Sequence, residues 1–425
     1  MILAALAFVL GCVYVWVVPA GLPYDEPSHW STVLFYADHG RMPVLGQRGV
    51  TYEAQMGPIA YVLAAIVVHL TRVAGMSVET SFHVVRLLGV VEFAVAVTLV
   101  GALTSRLLGR SWAWVAALAV FALNTMLLTM SSSVQNDTLA LVLGLLALEL
   151  ALARLSDRPT IGWAALVGSV AGLAVLTKLT AWPAVVAIGT WLAWRHRRIG
   201  YRPLLAFVSA AAIITGWWFV RNVDLYGDPT AAVGVHRTGV SFGAYHVHGA
   251  AGLLHIVEEL VTYLWLPTEY LRNFISAPTV LKAALLAATI AIVLASILGR
   301  RLPTGATFLI AGCAVLAVGS WLITYLTVQA VAPRVAYMAL PAWIALVAFS
   351  LTRFSGRAGA AVVAAVLLSL NAWALYEISR VAAPRFISTS SRPVSHSSHE
   401  GSSRPSPSAR HQQISLGAVN REQTS

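Results

Sequence analysis

Two adjacent carboxylates, Asp25 and Glu26, directly follow the first hydrophobic segment of the chain. Ionisable groups at a membrane boundary are costly and are by default functional. Pro27 suits the first turn of a helix, so we expect a helix to begin here with the carboxylates at its amino end. The helix dipole there favours the ionised carboxylate that a general base needs, but the same position also suits a simple helix cap. These residues alone favour neither role over the other.

A metal site is a second chemistry that this stretch could support. Asp25 and His29 are four residues apart, which is the spacing of one helical face, although Pro27 places Asp25 at or before the helix start. The sequence offers no third ligand nearby. More distant histidines that could supply one are His236, His246, His248 and His255. The sequence therefore assigns no metal ligands and no certain cofactor, and it leaves a divalent cation open.

The composition places these residues in a membrane protein. Of 425 residues, 58% are hydrophobic and only 11% are charged, and the mean hydropathy is +0.76. These values exclude a soluble globular domain. The net charge of +11 comes mostly from basic residues beside hydrophobic segments or near the C-terminus. It therefore indicates orientation in a lipid bilayer and argues against a nucleic-acid partner.

Eleven hydrophobic runs are long enough to cross about 30 Å of hydrocarbon, at about 20 residues each. They predict an all-α, polytopic membrane bundle of about eleven transmembrane helices. The predicted spans are 2–19, 84–105, 111–130, 138–153, 160–177, 179–194, 203–220, 277–299, 304–329, 335–352 and 358–378.

A twelfth apolar run, 57–75, decides the orientation. If it does not cross, the arginine-rich short loops all fall on one side, which the positive-inside rule makes the cytoplasm. These clusters are Arg106 and Arg110; Arg154 and Arg158; Arg195, Arg197, Arg198 and Arg202; Arg300 and Arg301; Arg353 and Arg357. We therefore expect 57–75 to form a re-entrant or surface-lying helix. Asp25 and Glu26 then face the extracytoplasmic side.

The segment after the acidic pair predicts another surface-lying helix in this first outer loop. Trp30, Val33, Leu34 and Ala37 recur at i, i+3, i+4 and i+7, which is typical of a helix with one face in lipid. At the other end of the chain, residues from Ser388 onward are Ser, Pro, Arg, His and Gln with few large apolar residues. We expect a transmembrane domain over 1–380 and a disordered tail over 381–425.

Five further polar residues stand near the predicted outer ends of spans. Asp137 can cap the fourth span or position a hydroxylated substrate, and Asn222 ends the seventh span beside Arg221. Lys178, Arg221 and Arg334 could bind the phosphate of a lipid, or they could extend to headgroups as long basic side chains commonly do.

Four segments of the chain resemble the polyprenyl-phosphate-sugar-dependent membrane glycosyltransferases of the GT-C superfamily, which includes protein O-mannosyltransferases and aminoarabinose transferases. The segments are Asp25 to His29, Ala37 to Pro43, Tyr52 to Tyr61 and Arg221 to Pro229. The resemblance covers about residues 1–380 and identifies the superfamily better than the substrate. It implies a multi-span bundle whose first outer loop holds the acidic pair, with Asp25 as the catalytic acid/base residue and Glu26 beside it.

One position departs from the superfamily pattern. Many relatives carry His-Pro-Pro before the aromatic run of the surface helix, where this chain has Met56, Gly57 and Pro58. The imidazole is missing at that position. A divergent acceptor, or a member of the family without activity, therefore stays open.

The expected reaction is an inverting transfer of a sugar from a polyprenyl-phosphate carrier to a hydroxyl of a protein, glycan or lipid, at the extracytoplasmic face of the cell membrane. The expected substrate contacts are His29, Asp137, Lys178, Arg221, Asn222 and Arg334. Two alternatives remain: a transporter whose intramembrane Glu92 and Glu149 line a path, and a non-catalytic cell-envelope protein in which Asp25 only caps a helix.

Overall fold

The computed structural model describes residues 1–155, 158–239, 244–247, 249–297, 304–327, 333–351 and 356–390. All regular elements in these ranges are helical, which confirms the predicted all-α class. The α-helices are α1 (Ile2–Val17), α2 (Glu26–His39), α3 (Ile59–Val73), α4 (Val78–Leu108), α5 (Trp112–Ala122), α6 (Thr125–Ser131), α7 (Asp137–Ala153), α8 (Ile161–Thr177), α9 (Trp182–Ile199), α10 (Arg202–Tyr226), α11 (Ala232–Arg237), α12 (Gly249–Trp265), α13 (Thr279–Ile297), α14 (Thr304–Thr327), α15 (Leu340–Leu351), α16 (Arg357–Glu377) and α17 (Ala383–Ser390). Short 3₁₀ segments lie at Tyr52–Gln55, Leu179–Ala181 and Pro333–Ala339, and a π-helical turn at Ile378–Ala382.

Six helical segments in the described ranges are long and apolar enough to cross a membrane, and the bent pair of α5 and α6 makes a seventh if it counts as one span. These seven lie at predicted spans. The other four predicted spans form α1, α7, α8 and α9, which have 16 to 18 residues. At 1.5 Å per residue such helices reach about 24–27 Å, short of a hydrocarbon core of about 30 Å. The chain is a polytopic all-α membrane protein, but the predicted count of about eleven spans is not confirmed.

The run at 57–75 forms α3, a helix of 15 residues with two different faces. One face is buried in the protein. The other exposes Val62, Ile66, Leu70 and Val73 along one side. An apolar stripe of this kind is typical of a helix that lies against a membrane.

The prediction that the apolar face of α2 lies in lipid is wrong. Trp30 and Val33 are 7% and 1% exposed, and the Trp30 ring packs edge-on against Phe82 of α4 at 5.1 Å between ring centroids. Leu34 and Ala37 pack against the same cluster, which also contains residues of α3. Helical periodicity shows that one face is covered, and here the cover is α3 and α4 instead of lipid.

The two ends of α4 hold different chemistry. Arg106, in its last turn, pairs with Glu149 of α7 at 2.6 Å, and nearby Arg195 of α9 donates to the Leu155 carbonyl. Arg86, near the other end of α4, contacts Glu26. Twenty helical residues separate Arg86 from Arg106, which is about 30 Å. Predicted inner-loop arginines therefore gather at the end away from the acidic pair, while Arg300, Arg301 and Arg353 lie outside the described residues.

The helical part of the chain extends past the predicted domain boundary at residue 380. Helix α17 runs to Ser390, and its Phe386 is 7% exposed and packs edge-on against Phe274 at 6.0 Å between ring centroids. The rest of the predicted tail, 391–425, lies outside the described residues.

A buried ion pair fixes the start of α2. Arg86 is fully buried, and its Nε and Nη2 donate to the two oxygens of Glu26 at 2.8 and 2.6 Å. The Gly21 and Val134 backbone N–H groups donate to the same carboxylate at 2.9 and 2.8 Å. A carboxylate has about four acceptor positions, and these four donors fill them. These contacts argue for a structural role of Glu26 and against the catalytic role that the acidic pair suggested for it.

Arg86 also closes the end of the first helix. Its Nη1 donates to the carbonyls of Val15 and Val18 at 2.9 and 2.7 Å, and its Nη2 to that of Pro19 at 3.2 Å. The last carbonyls of a helix have no partner within the helix, and a cation there also complements the helix dipole. One guanidinium thus joins the end of α1, the start of α2 and helix α4.

We predict that Glu26→Gln destabilises the folded protein by about 3–5 kcal/mol, because it leaves the Arg86 charge buried without its counter-ion. Thermal unfolding of the detergent-solubilised protein measures this loss. The matched control is Arg72→Gln, which breaks the exposed pair with Asp38 and should cost less than about 1 kcal/mol. Equal melting temperatures of Glu26→Gln and the control would show that the pair is not a structural requirement.

Candidate active site

Asp25 is the N-cap residue of α2, but among the described residues its side chain makes no capping hydrogen bond. Its Oδ1 accepts a hydrogen bond from the Tyr52 hydroxyl at 2.7 Å, and its Oδ2 pairs with the Arg334 guanidinium. The carboxylate remains 13% exposed. The guanidinium lies over the Tyr270 ring, 5.1 Å from its centroid. Both carboxylate oxygens of Asp25 thus contact side chains from other parts of the chain, and neither of them caps α2.

One turn along α2, His29 joins a second buried group of polar side chains. Its Nδ1 lies 2.8 Å from the Tyr61 hydroxyl, which donates to Glu53 Oε2 at 3.3 Å. The other ring nitrogen of His29, Nε2, lies 3.7 Å from Glu53 Oε1. His29, Tyr61 and Glu53 therefore form one connected polar group.

Burial sets the protonation of this group. It raises the pKa of Glu53 to about 7, although the nearby Lys178 charge acts in the opposite direction. Burial, together with Lys178, holds the pKa of His29 well below its usual value, so the imidazole is neutral at pH 7. Glu53 is therefore the member of the group that changes charge near neutral pH.

The same residues have the composition of a metal site. Asp25, His29 and Glu53 are buried and each can offer one ligand atom, and these atoms lie within 4.8 Å of one another. Two carboxylates and an imidazole are a donor set that Zn²⁺ accepts, and the Tyr61 contact to Nδ1 is the kind of outer contact that orients a ligating histidine. The residues thus fit a divalent ion.

The third candidate ligand is Glu53 and not a histidine of the large outer loop. His236, His246 and His255 do not belong to the cluster, and His248 lies outside the described residues. Glu53 is brought to α2 by the 3₁₀ turn Tyr52–Gln55, in which the Thr51 side chain accepts a hydrogen bond from the Glu53 backbone N–H.

Asp137 and Lys178 form a pair beside this cluster. Their Oδ1 and Nζ atoms are 2.7 Å apart, and both side chains are nearly inaccessible. Asp137 is the first residue of α7 and not its cap, since Asn136 occupies the N-cap position. The Lys178 charge is therefore already compensated, which argues against the predicted contact with a lipid phosphate.

Arg221 and Asn222 lie at the carboxyl end of α10, apart from the Asp25 cluster. Arg221 Nη2 donates to the Pro43 carbonyl at 2.7 Å, and its guanidinium lies over the Trp218 ring. Asn222 Nδ2 donates to the Pro229 carbonyl at 3.0 Å. Within the described ranges no direct contact joins either residue to Asp25. Of the predicted substrate contacts, Arg334 thus contacts Asp25 directly. Arg221 and Asn222 contact other parts of the chain.

Arg272 is a cation of the site that the sequence did not reveal. It adopts φ +55°, in the left-handed region that residues other than glycine rarely adopt. Its guanidinium donates to the carbonyls of Leu22 and Tyr24 at 3.2 and 3.0 Å, and it lies over the Tyr24 ring. No carboxylate pairs with it among the described residues. No pattern of charge or spacing in the sequence singles out Arg272. Its position near Asp25 is therefore seen only in the folded structure.

Solved structures resemble this chain in shape. No protein-family model and no curated protein matches its sequence. ArnT from Cupriavidus metallidurans bound to undecaprenyl phosphate has a TM-score of 0.55 at 15% identity, over 99% of this chain and 77% of ArnT. The oligosaccharyltransferase of Archaeoglobus fulgidus, in a complex with Zn and sulfate, has a TM-score of 0.52 at 14% identity, over 90% of this chain and 52% of that one.

Both neighbours are GT-C glycosyltransferases. This chain has a GT-C fold. The all-α bundle and the helices that follow the acidic pair thus agree with the expectation from the resemblance in sequence. At about 15% identity the likeness concerns the fold, and the chemistry of the site follows from its own residues.

We predict that chelator-treated protein binds one Zn²⁺ or Mn²⁺ and that Glu53→Gln weakens this binding at least about tenfold, as for loss of a ligand. Calorimetry measures the affinity. Protons compete with the metal for a carboxyl whose pKa is about 7, so the affinity should fall as the pH is lowered from 8 to 6. Glu79→Gln, at an exposed position, is the control. Equal affinities of wild type and Glu53→Gln would show that the cluster holds no metal.

Proposed function

We propose that this chain is a membrane glycosyltransferase that moves a sugar from a polyprenyl-phosphate carrier to a hydroxyl acceptor, with Asp25 as the general base. One observation carries the proposal: the Asp25 carboxylate is held by Tyr52 and Arg334, and remains partly accessible, at one end of a GT-C bundle. The ArnT structure with the same fold is bound to undecaprenyl phosphate, which supports a lipid-phosphate donor.

In the proposed reaction, Asp25 takes the proton of the acceptor hydroxyl as its oxygen attacks the anomeric carbon. The new carbon–oxygen bond forms as the bond from that carbon to the phosphate oxygen breaks, so the configuration is inverted and the lipid phosphate leaves. Tyr52 and Arg334 hold the two carboxylate oxygens in a fixed orientation. A positioned base of this kind contributes about 10²–10⁴-fold to the rate.

The leaving phosphate needs positive charge that is not already compensated. Lys178 and Arg334 are each paired with a carboxylate, whereas Arg221 and Arg272 have no carboxylate partner in the part of the chain that the structure describes. We therefore assign the phosphate contact to Arg272, which lies beside Tyr24, with Arg221 as a second candidate. If a divalent ion binds at this site, Asp25, His29 and Glu53 would hold it, and it would add positive charge to the site.

A transporter is the weaker proposal. A transport path of the predicted kind requires that Glu92 and Glu149 line the same route through the bundle. Glu149, however, pairs with Arg106 at the end of the bundle away from Asp25. Glu92 lines a crevice with residues of α2, α3 and α4. The two carboxylates therefore belong to different parts of the molecule.

We predict that Asp25→Asn abolishes sugar transfer, with a rate at least about 10²-fold below wild type, because an amide cannot accept the proton. The assay follows labelled sugar from polyprenyl-phosphate donors in membranes that overproduce each variant. Asp38→Asn is the matched control and should keep full activity. Asp38 also lies on α2, where it forms an exposed pair with Arg72 of α3. Undiminished transfer by Asp25→Asn would refute the role of this carboxylate as the base.

The proposal also requires Asp25 to face the extracytoplasmic side. We predict that Arg48→Cys, exposed in the first outer loop, reacts with a membrane-impermeant maleimide in intact cells. Arg110→Cys, exposed at the other end of α4, should react only after permeabilisation. Both variants are made in a background without Cys12 and Cys313. The reverse pattern would place the site in the cytoplasm and reject the donor that we propose.

A further inference from the structure

A small polar cavity lies behind the guanidinium that holds Asp25. It is enclosed by the start of α7, the turn Leu179–Ala181 and the segment Pro333–Ala339. The polar residues that line it are Asp137, Thr180, Arg334 and Tyr337, with Ala140 among the apolar ones. Its free space accommodates about one water molecule or one hydroxyl group.

Three of the four polar residues present an unsatisfied buried atom. Asp137 Oδ2, Arg334 Nη1 and the Tyr337 hydroxyl have no hydrogen-bond partner among the described residues. Buried polar groups without a partner are rare and costly, and here the three residues that carry them line one space. The cavity therefore has the structure of a site that is completed by a ligand.

The unsatisfied atoms specify the chemistry of that ligand. Arg334 Nη1 can only donate, Asp137 Oδ2 as a carboxylate oxygen can only accept, and the Tyr337 hydroxyl can do either. A hydroxyl group satisfies this set because it donates to Asp137 while it accepts from Arg334 and Tyr337. A phosphate oxygen does not, because it would face the Asp137 carboxylate without a proton to share.

The position of the cavity relates this hydroxyl to the reacting centre. Arg334 contacts Asp25 through Nη2, and it is also one of the residues that line the cavity. The cavity and the proposed base are thus joined through a single residue. The acceptor hydroxyl must lie on the Asp25 carboxylate itself, so the cavity is left for the sugar that is transferred.

We propose that this cavity binds one ring hydroxyl of the donor sugar, through Asp137, Arg334 and Tyr337, and that it selects donors with a hydroxyl at that position. This inference rests on the proposed function. Asp137 and Arg334 then act on the sugar, not on the lipid phosphate that the sequence suggested for Arg334.

The test compares two lipids in binding to the purified full-length protein. One is undecaprenyl phosphate, and the other is the same lipid carrying glucose, mannose, galactose or arabinose. We expect the wild type to bind at least one glycosylated lipid more tightly than undecaprenyl phosphate. Tyr337→Phe removes only the hydroxyl and should weaken that binding about tenfold, while binding of undecaprenyl phosphate stays unchanged. Tyr376→Phe, at a position that is 61% exposed, is the matched control.

A second variant tests the inference even if Tyr337→Phe does not fold. Ala140→Val fills part of the cavity without changing its polar atoms, and it should also weaken only the glycosylated lipid. The inference is overturned if both variants bind the glycosylated lipid as the wild type does, since the cavity would then hold only water. It is also overturned if the wild type prefers no glycosylated lipid.

Failure of the inference and failure of the proposed function give different results. If Asp25→Asn transfers sugar normally while Tyr337→Phe binds the glycosylated lipid about tenfold more weakly than the wild type, the assigned base is wrong and the hydroxyl site stands. If Asp25→Asn loses transfer and Tyr337→Phe keeps the preference, the transferase stands and the cavity is not a sugar site.

Discussion

The buried pair of Arg86 and Glu26 is the contact on which the site depends. It ties the end of α1, the start of α2 and the Val134 turn before α7 to a single point on α4. Glu26 is the neighbour of Asp25 in the chain, so fixing the backbone at residue 26 also fixes where residue 25 directs its carboxylate. Of two adjacent carboxylates, one is saturated by four donors and the other keeps partial access to solvent. Glu26 therefore holds the fold together, while Asp25 keeps the access that the proposed reaction needs.

Charge compensation then separates the cations by role. Lys178 and Arg334 each lie against a carboxylate, so that neither contributes a full positive charge to an incoming anion. In the described part of the chain, Arg272 contacts carbonyl oxygens and an aromatic ring, which orient a guanidinium without neutralising it. The compensated cations can position neutral or partly charged groups, whereas an uncompensated cation such as Arg272 suits a phosphate.

The sequence predicted the parts of this arrangement that depend on local pattern. The helix start at Glu26, the helix in 57–75 and the helices at all eleven runs follow from Pro27 and from runs of apolar residues. The number of helices that cross the membrane could not be predicted from the sequence, because α1, α7, α8 and α9 are near the minimum length of a membrane span. The partners of Glu26 and His29 could not be found, because Arg86 lies 60 residues away and Tyr61 lies 32 residues away. The periodicity of α2 identified a covered face but not what covers it.

Packing also accounts for the departure from the superfamily pattern at Met56, Gly57 and Pro58. A Cβ added at Gly57 would come within 1.6 Å of the Leu176 carbonyl oxygen, so the chain passes α8 too closely for any side chain there. Met56 packs against the apolar cluster between α2 and α3, where an imidazole would lose its hydration. The site nevertheless contains an imidazole, because His29 of α2 faces Glu53 and Tyr61. The missing histidine at position 56 is thus consistent with a site that takes its imidazole from the neighbouring helix.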